Sequence, residues 1–230
     1  MDRFWEIGRG IGGLASRALD LALPAICAGC EREGAALCSA CLPALDARLQ
    51  LAPGTPLGLP GDLPRPLLQV EWCAPFSGIP RRALHRLKYA GDRRVAEPLG
   101  QAIGRRWLRA GAGGDLFVPV PASPDRVKER GYDQADLIAR AAGRACGLPV
   151  RSLLERSRAT IAQFDLDRRA RSRNVDGAFR LRGTPAGLGG AWIVLVDDVL
   201  TTGSTLAACA RVLLENGALA VSAVTVARER

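Results

Sequence analysis

Histidine and methionine each occur once in 230 residues, and aromatic residues make up only 5% of the chain. The single histidine, His85, has no neighbouring cluster of cysteine or aspartate, so a Ser-His-Asp hydrolase finds no support. So few aromatics give no sign in the sequence of rings interleaved with basic residues, the platform on which single-stranded nucleic acid stacks. No apolar run approaches the length needed to span a bilayer. The opening stretch MDRFWEIGRGIGGLASRALDLALPAIC is interrupted by Glu6, Arg9, Arg17 and Asp20, so it lacks the unbroken apolar core and small-residue cleavage site of a secretory signal. The expectation is a cytoplasmic protein with no membrane span. No internal repeat is visible.

Charge is what the sequence has in excess. The net charge of +9 comes mostly from arginine and points to an anionic partner, whether nucleic acid, membrane surface or a phosphorylated small molecule. Seven cysteines, an odd number, in a reducing compartment favour metal ligation and buried thiols over a disulfide framework. Cys27-Ala-Gly-Cys30 and Cys38-Ser-Ala-Cys41 are two CxxC pairs with seven residues between them. Each pair makes a tight knuckle that turns two thiolates to one point, and two knuckles make the closed sulfur site of a structural zinc ion. Cys73, Cys146 and Cys209 lie among apolar neighbours and read as buried thiols.

Three regions follow from composition. Residues 1–50 hold a weakly helical stretch over 3–22 and the four cysteines. Residues 51–66, LAPGTPLGLPGDLPRP, are too rich in Pro and Gly for regular structure and read as a linker. Residues 67–230 alternate strands and helices, the pattern of a parallel α/β sheet. Strands are expected at 67–74, 115–121, 178–181, 192–196 and 219–226. Helices are expected at 79–92, 93–111, 133–147 and 204–216, the last two closed by Gly147 and Gly217. Residues 151–174 carry seven arginines with few apolar anchors and read as a mobile, solvated loop followed by a short helix.

The segment VLVDDVLTTGST, residues 194–205, carries the chemistry. An apolar strand ends on the adjacent carboxylates Asp197 and Asp198, followed by the hydroxyl-rich turn Thr201, Thr202, Gly203, Ser204 and Thr205. A turn of this kind opening a helix suits a phosphate, and paired carboxylates suit vicinal hydroxyls with a magnesium ion nearby. No lysine follows the glycine, which excludes the Walker A pattern. Hydroxyls, phosphate and magnesium together describe phosphoribosyl pyrophosphate.

The segment resembles the phosphoribosyl-pyrophosphate signature of type I phosphoribosyltransferases. With VPVPASPDRVKERGYDQADLIAR (118–140), QFDLDRRARSRNVDGAF (163–179), LHRLKYAGD (84–92) and the cysteine pairs, nearly the whole chain is similar to the ComF family of competence-associated, phosphoribosyltransferase-like proteins. The resemblance implies a type I phosphoribosyltransferase fold, a parallel sheet flanked by helices, behind a small zinc-knuckle module held by Cys27, Cys30, Cys38 and Cys41. It also implies that Asp197 and Asp198 contact ribose hydroxyls and that Val199, Leu200 and Thr201 to Thr205 form the ligand loop. Val120, Pro121, Ala122 and Ser123 stand where pyrophosphate binds, with Arg126, Lys128 and Arg130 adding positive charge.

Arg158, Gln163, Arg171 and Asn174 belong to a flexible loop that would close over the ligand. Residues 67–90 and the cysteine module form the hood that selects the acceptor. Asp133 departs from the asparagine usual in the family, and an added carboxylate there is expected to weaken ligand binding. Two functions are implied. One is a transferase that moves ribosyl phosphate to an acceptor the sequence does not name. The other is a non-catalytic module that binds phosphoribosyl pyrophosphate in DNA uptake and engages single-stranded DNA or a competence helicase.

Overall fold

A computed structural model describes residues 24–54, 63–110, 113–156, 177–183 and 188–229. The helix expected over 3–22, the middle of the Pro/Gly segment, and loop residues Arg158, Gln163, Arg171 and Asn174 lie outside these residues.

Four near-continuous apolar runs form one parallel sheet: β1 (Val70–Pro75), β2 (Leu116–Pro119), β5 (Trp192–Leu200) and β6 (Ala220–Arg228). Their spatial order is β1-β6-β5-β2, with Leu195 opposite Ala223 and Val118 opposite Leu195. Both faces of such a sheet must be covered, which is why these strands are apolar throughout rather than alternating. One face carries α1 (Gly78–Tyr89), α2 (Ala96–Ala110) and α4 (Gln134–Cys146), packed on Val194, Val196 and Val224. The other carries α5 (Ser204–Glu215), whose Leu206, Cys209, Ala210 and Leu213 pack on Ile193, Leu195 and Ala223. This is the α/β fold expected of a type I phosphoribosyltransferase-like chain, a parallel sheet flanked by helices with a small four-cysteine module before it.

Helices α2 and α4 cross closely because Gly100 and Gly104 leave room for the facing chain. A Cβ on Gly100 would stand 2.4 Å from the Ala141 Cβ, and one on Gly104 would stand 2.6 Å from the Ala145 Cβ. The short helix α3 (Pro124–Arg130) is not among the helices expected. Pro124 in its first turn starts it, and Gly131 at φ +76° ends it in the left-handed region.

Two strand expectations need correction. β5 runs to Leu200, not to residue 196, because β6 continues beside it as far as Arg228. Asp197 and Asp198 therefore lie inside a strand rather than after it. The strand expected at 178–181 does not join the main sheet. As β4 (Phe179–Leu181) it pairs antiparallel with β3 (Leu154–Arg156), whose residues fall in the stretch expected to be a mobile loop. Leu154 and Phe179 bury in the core on the α5 face, and this pair closes the base of the arginine-rich segment.

The cysteine module packs directly on the α/β body. Cys27, Ala28, Leu37, Cys41 and Leu45 belong to the same apolar cluster as Leu84, Leu87 and Leu99 of α1 and α2. Arg82 donates to the Gly29 carbonyl at 2.8 Å, Arg86 to the Ile26 carbonyl at 3.0 Å, and Arg105 grips the Asp46 carboxylate.

Candidate ligand crevice and metal centre

Consecutive side chains of a strand leave opposite faces, and this decides the geometry of the acidic pair. Asp198, in phase with Val194 and Val196, points to the face covered by α1 and α4. Its Oδ2 receives the Lys88 ammonium at 2.8 Å and the Gln134 amide Nε2 at 3.3 Å. Asp197 leaves toward the α5 face and turns forward to accept the N–H of Asp198 at 2.8 Å. Burial pushes the Asp197 carboxyl well above the ordinary range, and the charge of Asp198 adds to the rise.

Three separated strings of sequence thus meet at one carboxylate: LHRLKYAGD through Lys88, ERGYDQ through Gln134, and the acidic signature itself. Gln134 also accepts from Arg130 at 2.8 Å, so the connection runs Arg130, Gln134, Asp198, Lys88. Of the basic residues on α3, only Arg130 enters this network; Arg126 and Lys128 stand exposed on its outer side. The sequence patterns assign no role to Lys88 or Gln134, although both lie in the strings that carry the family resemblance.

Tyr132, Asp133 and Gln134 each tie a different part of the crevice. The buried Tyr132 hydroxyl donates to the Leu87 carbonyl in the last turn of α1, setting the position of Lys88 one residue later. Asp133 caps α4, its Oδ1 accepting from Ala135 and Asp136, while its Oδ2 accepts the Ala122 N–H at 2.8 Å. The carboxylate is therefore occupied by backbone donors rather than directed at a ligand. Burial raises its pKa, against those three donors.

Pro121, Ala122 and Ser123 follow β2 at the same sheet edge as Asp198, and the Val120 N–H bonds to the Val196 carbonyl. Beyond β5, Thr201 and Thr202 are exposed and Gly203 adopts φ +79°. That left-handed residue turns the chain into α5, and Pro64 packs on it so tightly that a Cβ would lie 2.4 Å from the proline ring. Thr202 and Ser204 hydroxyls meet at 2.9 Å over the helix N-terminus. Val199 and Leu200 are the last strand residues and contribute apolar mass to the two cores, not exposed polar groups.

The four N-terminal cysteines come together: their sulfurs all lie within 4.8 Å of one another. Four sulfurs bound about 2.3 Å from a common ion stand roughly 3.8 Å apart, and Cys30 and Cys38 are separated by 3.6 Å. Cys27 Sγ accepts the N–H groups of Gly29 and Cys38, both at 3.3 Å. Burial works to raise its thiol, but the backbone donors outweigh this and bring it down to about 6. Gly29 is required by contact, since a Cβ would meet Cys41 Sγ at 2.6 Å. The donor set fits a closed tetrahedral ion with no open coordination position.

Magnesium does not find an equivalent place. Among the described residues the four cysteines are the only group of three or more Cys, His, Asp or Glu suited to a metal. The two carboxylates of the acidic pair diverge, and an ammonium already sits on Asp198. The remaining thiols are buried as expected or partly so: burial raises Cys73 to about 12 and Cys146 to about 11.

A further surface has no contiguous signal in the sequence. Phe76, His85 and Tyr89 bring their rings together along α1, with centroids 6.4 Å and 5.3 Å apart, and Arg130 lies over the Tyr89 ring at 5.5 Å. Beside them, a cleft of about 500 Å³ opens between α1 and the cysteine module, lined by Glu31, Arg81, Arg82, His85 and Arg86. Scarcity of aromatics hides this face, because the rings come from helical spacing plus one residue before the helix.

The chain is 32% identical over 220 residues to the DNA utilization protein YhgH of Salmonella typhi, an alignment covering 87% of this chain and 96% of that one. It is 34% identical over 203 residues to YhgH of Escherichia coli K12, covering 85% and 86%. The chain belongs to the ComF family. The Bacillus subtilis competence protein ComFC, 28% identical over 162 residues, covers 66% of this chain and 61% of its own length. No family model matches. Among solved structures, the B. subtilis glutamine phosphoribosylpyrophosphate amidotransferase complexed with ADP and GMP reaches a TM-score of 0.40 at 19% identity, covering 58% of this chain and 27% of that one. Among the described residues, no helix is long and apolar enough to cross a membrane.

Proposed function

We propose that this ComF-family chain binds phosphoribosyl pyrophosphate at the crevice between residues 120–123 and 197–205, as a phosphoribosyltransferase-like protein serving DNA uptake, with magnesium arriving on the ligand's pyrophosphate. The observation that carries this reading is the meeting of three sequence strings at Asp198, beside a hydroxyl-rich turn at the start of α5. Asp198 accepts a ribose hydroxyl. Thr201 to Thr205 donate backbone and side-chain hydrogens to the 5′-phosphate, and the helix dipole assists. Arg130 and the 121–123 segment face the pyrophosphate.

In a transfer reaction the bond from the anomeric carbon to pyrophosphate breaks, positive charge develops on the sugar, and an acceptor atom bonds to that carbon. The chain's part is to hold the ends of the ligand and to exclude water, which falls to the segment 157–174. The four cysteines hold one structural zinc ion. Calorimetry with magnesium and phosphoribosyl pyrophosphate tests the reading: binding by the native chain, lost in Asp197→Asn/Asp198→Asn, with circular dichroism confirming that the variant is folded. Equal affinity of the double variant removes it.

The ring face of α1 favours a second reading, a contact with single-stranded nucleic acid. A ring cluster beside Arg81, Arg82 and Arg130 offers ring faces for base stacking together with phosphate charge. Anisotropy of a fluorescein-labelled oligothymidylate decides it: Tyr89→Ala should weaken binding about 10-fold or more. An unchanged titration assigns the rings to packing alone.

A further inference from the structure

Lysine is rare here: 32 basic residues include only two lysines, Lys88 and Lys128. Lys88 is the one placed against the acidic pair. Its ammonium lies 2.8 Å from Asp198 Oδ2, with side-chain exposures of only 16% and 10% for the two partners. The placement is built, not incidental. Leu84 and Leu87 bury the inner side of α1, and Tyr132 bonds the Leu87 carbonyl immediately before Lys88. Gln134 holds the same Oδ2 from the α4 side.

A divalent ion shared by the two carboxylates would need their oxygens to converge at about 2.1 Å from one point. Asp197 turns away to the N–H of Asp198, and the ammonium would stand among the ion's immediate neighbours, where two cations repel strongly.

We propose that Lys88 is the resident cation of the acidic pair. It neutralises Asp198, holds the carboxylate in place with its Oδ1 left to accept a ribose hydroxyl, and takes the place a divalent ion would otherwise occupy. Lys88 is a positioning residue in this account, and the proposal rests on the phosphoribosyl-pyrophosphate reading. Its consequence is a division of labour: the ribose end of the ligand is bound without a divalent ion, and magnesium serves the pyrophosphate end only.

Ribose 5-phosphate, which lacks the pyrophosphate, separates the two ends. Calorimetry of the zinc-loaded full chain should give the same affinity for ribose 5-phosphate in magnesium and in chelator-treated, magnesium-free buffer. In Lys88→Met, affinity without a divalent ion should fall about 10-fold or more, and magnesium or manganese should restore it by entering the vacated place.

A second measurement needs no sugar. Manganese titration followed by electron paramagnetic resonance should show binding in Lys88→Met at least about 10-fold tighter than in the native chain, and adding Asp198→Asn should abolish the gain. Circular dichroism confirms folding, and Lys88→Gln replaces the methionine variant if that one is unfolded. A magnesium requirement for ribose 5-phosphate in the native chain, or manganese affinity unchanged by loss of Lys88, overturns the proposal. If the native chain binds neither phosphoribosyl pyrophosphate nor ribose 5-phosphate, the functional reading fails. The manganese titration then decides alone whether Lys88 is the resident cation.

Discussion

Arg106 and Glu71 form a fully buried ion pair that ties the end of the cysteine module to the central sheet. Arg106 Nε donates to Glu71 Oε2 at 2.9 Å, and Nη1 donates to the carbonyls of Arg48 and Leu51, both at 2.7 Å. Glu71 Oε1 accepts from Gln69 and from the Gly54 N–H. Burying two charges costs more than their attraction returns unless the remaining donors and acceptors are used, as they are here. Glu71→Ala leaves the guanidinium uncompensated and should cost about 3–5 kcal/mol, a fall in Tm of roughly 10 °C for a chain of this size. Replacing both, Arg106→Met with Glu71→Leu, should cost less than Glu71→Ala alone. Thermal unfolding followed by circular dichroism compares the variants.

The close crossing of α2 and α4 depends on Gly100. Alanine there would push its Cβ to 2.5 Å from the Ile138 carbonyl oxygen as well as against Ala141. Gly100→Ala should destabilise by about 1–3 kcal/mol despite its better helix propensity, because the obstacle is backbone that cannot move alone. Urea unfolding measures this, and an unchanged or raised midpoint would show that the helices separate freely.

One equivalent of zinc is expected per chain, lost in Cys41→Ser and diminished in Gly29→Ala, whose added Cβ displaces Cys41 Sγ. The module shares its apolar cluster with α1 and α2, so metal removal should lower a single unfolding transition of the whole chain rather than abolish a small separate one. Metal analysis and calorimetric scanning with and without a chelator test both statements. Two resolved transitions would show that the module folds independently.

The contribution of Asp197 to stability should fall as pH rises above about 4. Burial raises its folded pKa above the ordinary value of 3.8, so the folded state holds a proton that the unfolded chain has released. The stabilisation is complete below the unfolded value and is lost as pH climbs through the raised folded value. Asp197→Asn should flatten that dependence and raise Tm at pH 8 while leaving it little changed at pH 3.5. Parallel slopes for the variant and the native chain would assign the pH dependence to other groups.

Asp133 gives a prediction of the opposite kind from the one its sequence invites. Its two oxygens serve three N–H donors on two segments, so the side-chain amide introduced by Asp133→Asn would turn an NH2 group toward one of them. A donor facing a donor in a partly buried place costs about 1 kcal/mol or more. The change to the family's usual residue should therefore destabilise this chain, as urea unfolding would show. A gain in stability would mean that the 121–123 segment adapts to either residue.

Much of this is legible in the chain itself. Apolar runs such as WIVLV and AVSAVTV specify buried parallel strands because a sheet covered on both faces tolerates no polar stripe. Two CxxC pairs specify a sulfur cluster because each knuckle is local, closed within four residues. The acidic pair and the hydroxyl turn after it are visible for the same reason, being contiguous. What the tertiary structure alone decided is everything that depends on partners distant along the chain.

Where β5 ends was set by the length of β6, and β4 was drawn from the main sheet by its pairing with β3. Lys88 and Gln134 became neighbours of Asp198 only through the packing of α1 and α4 on one face, which no local pattern encodes. The division of Asp197 from Asp198 joins both levels. Adjacency is written in the sequence, but which carboxylate meets a lysine and which leaves toward α5 is settled by the strand alternation and by what the fold lays on each face.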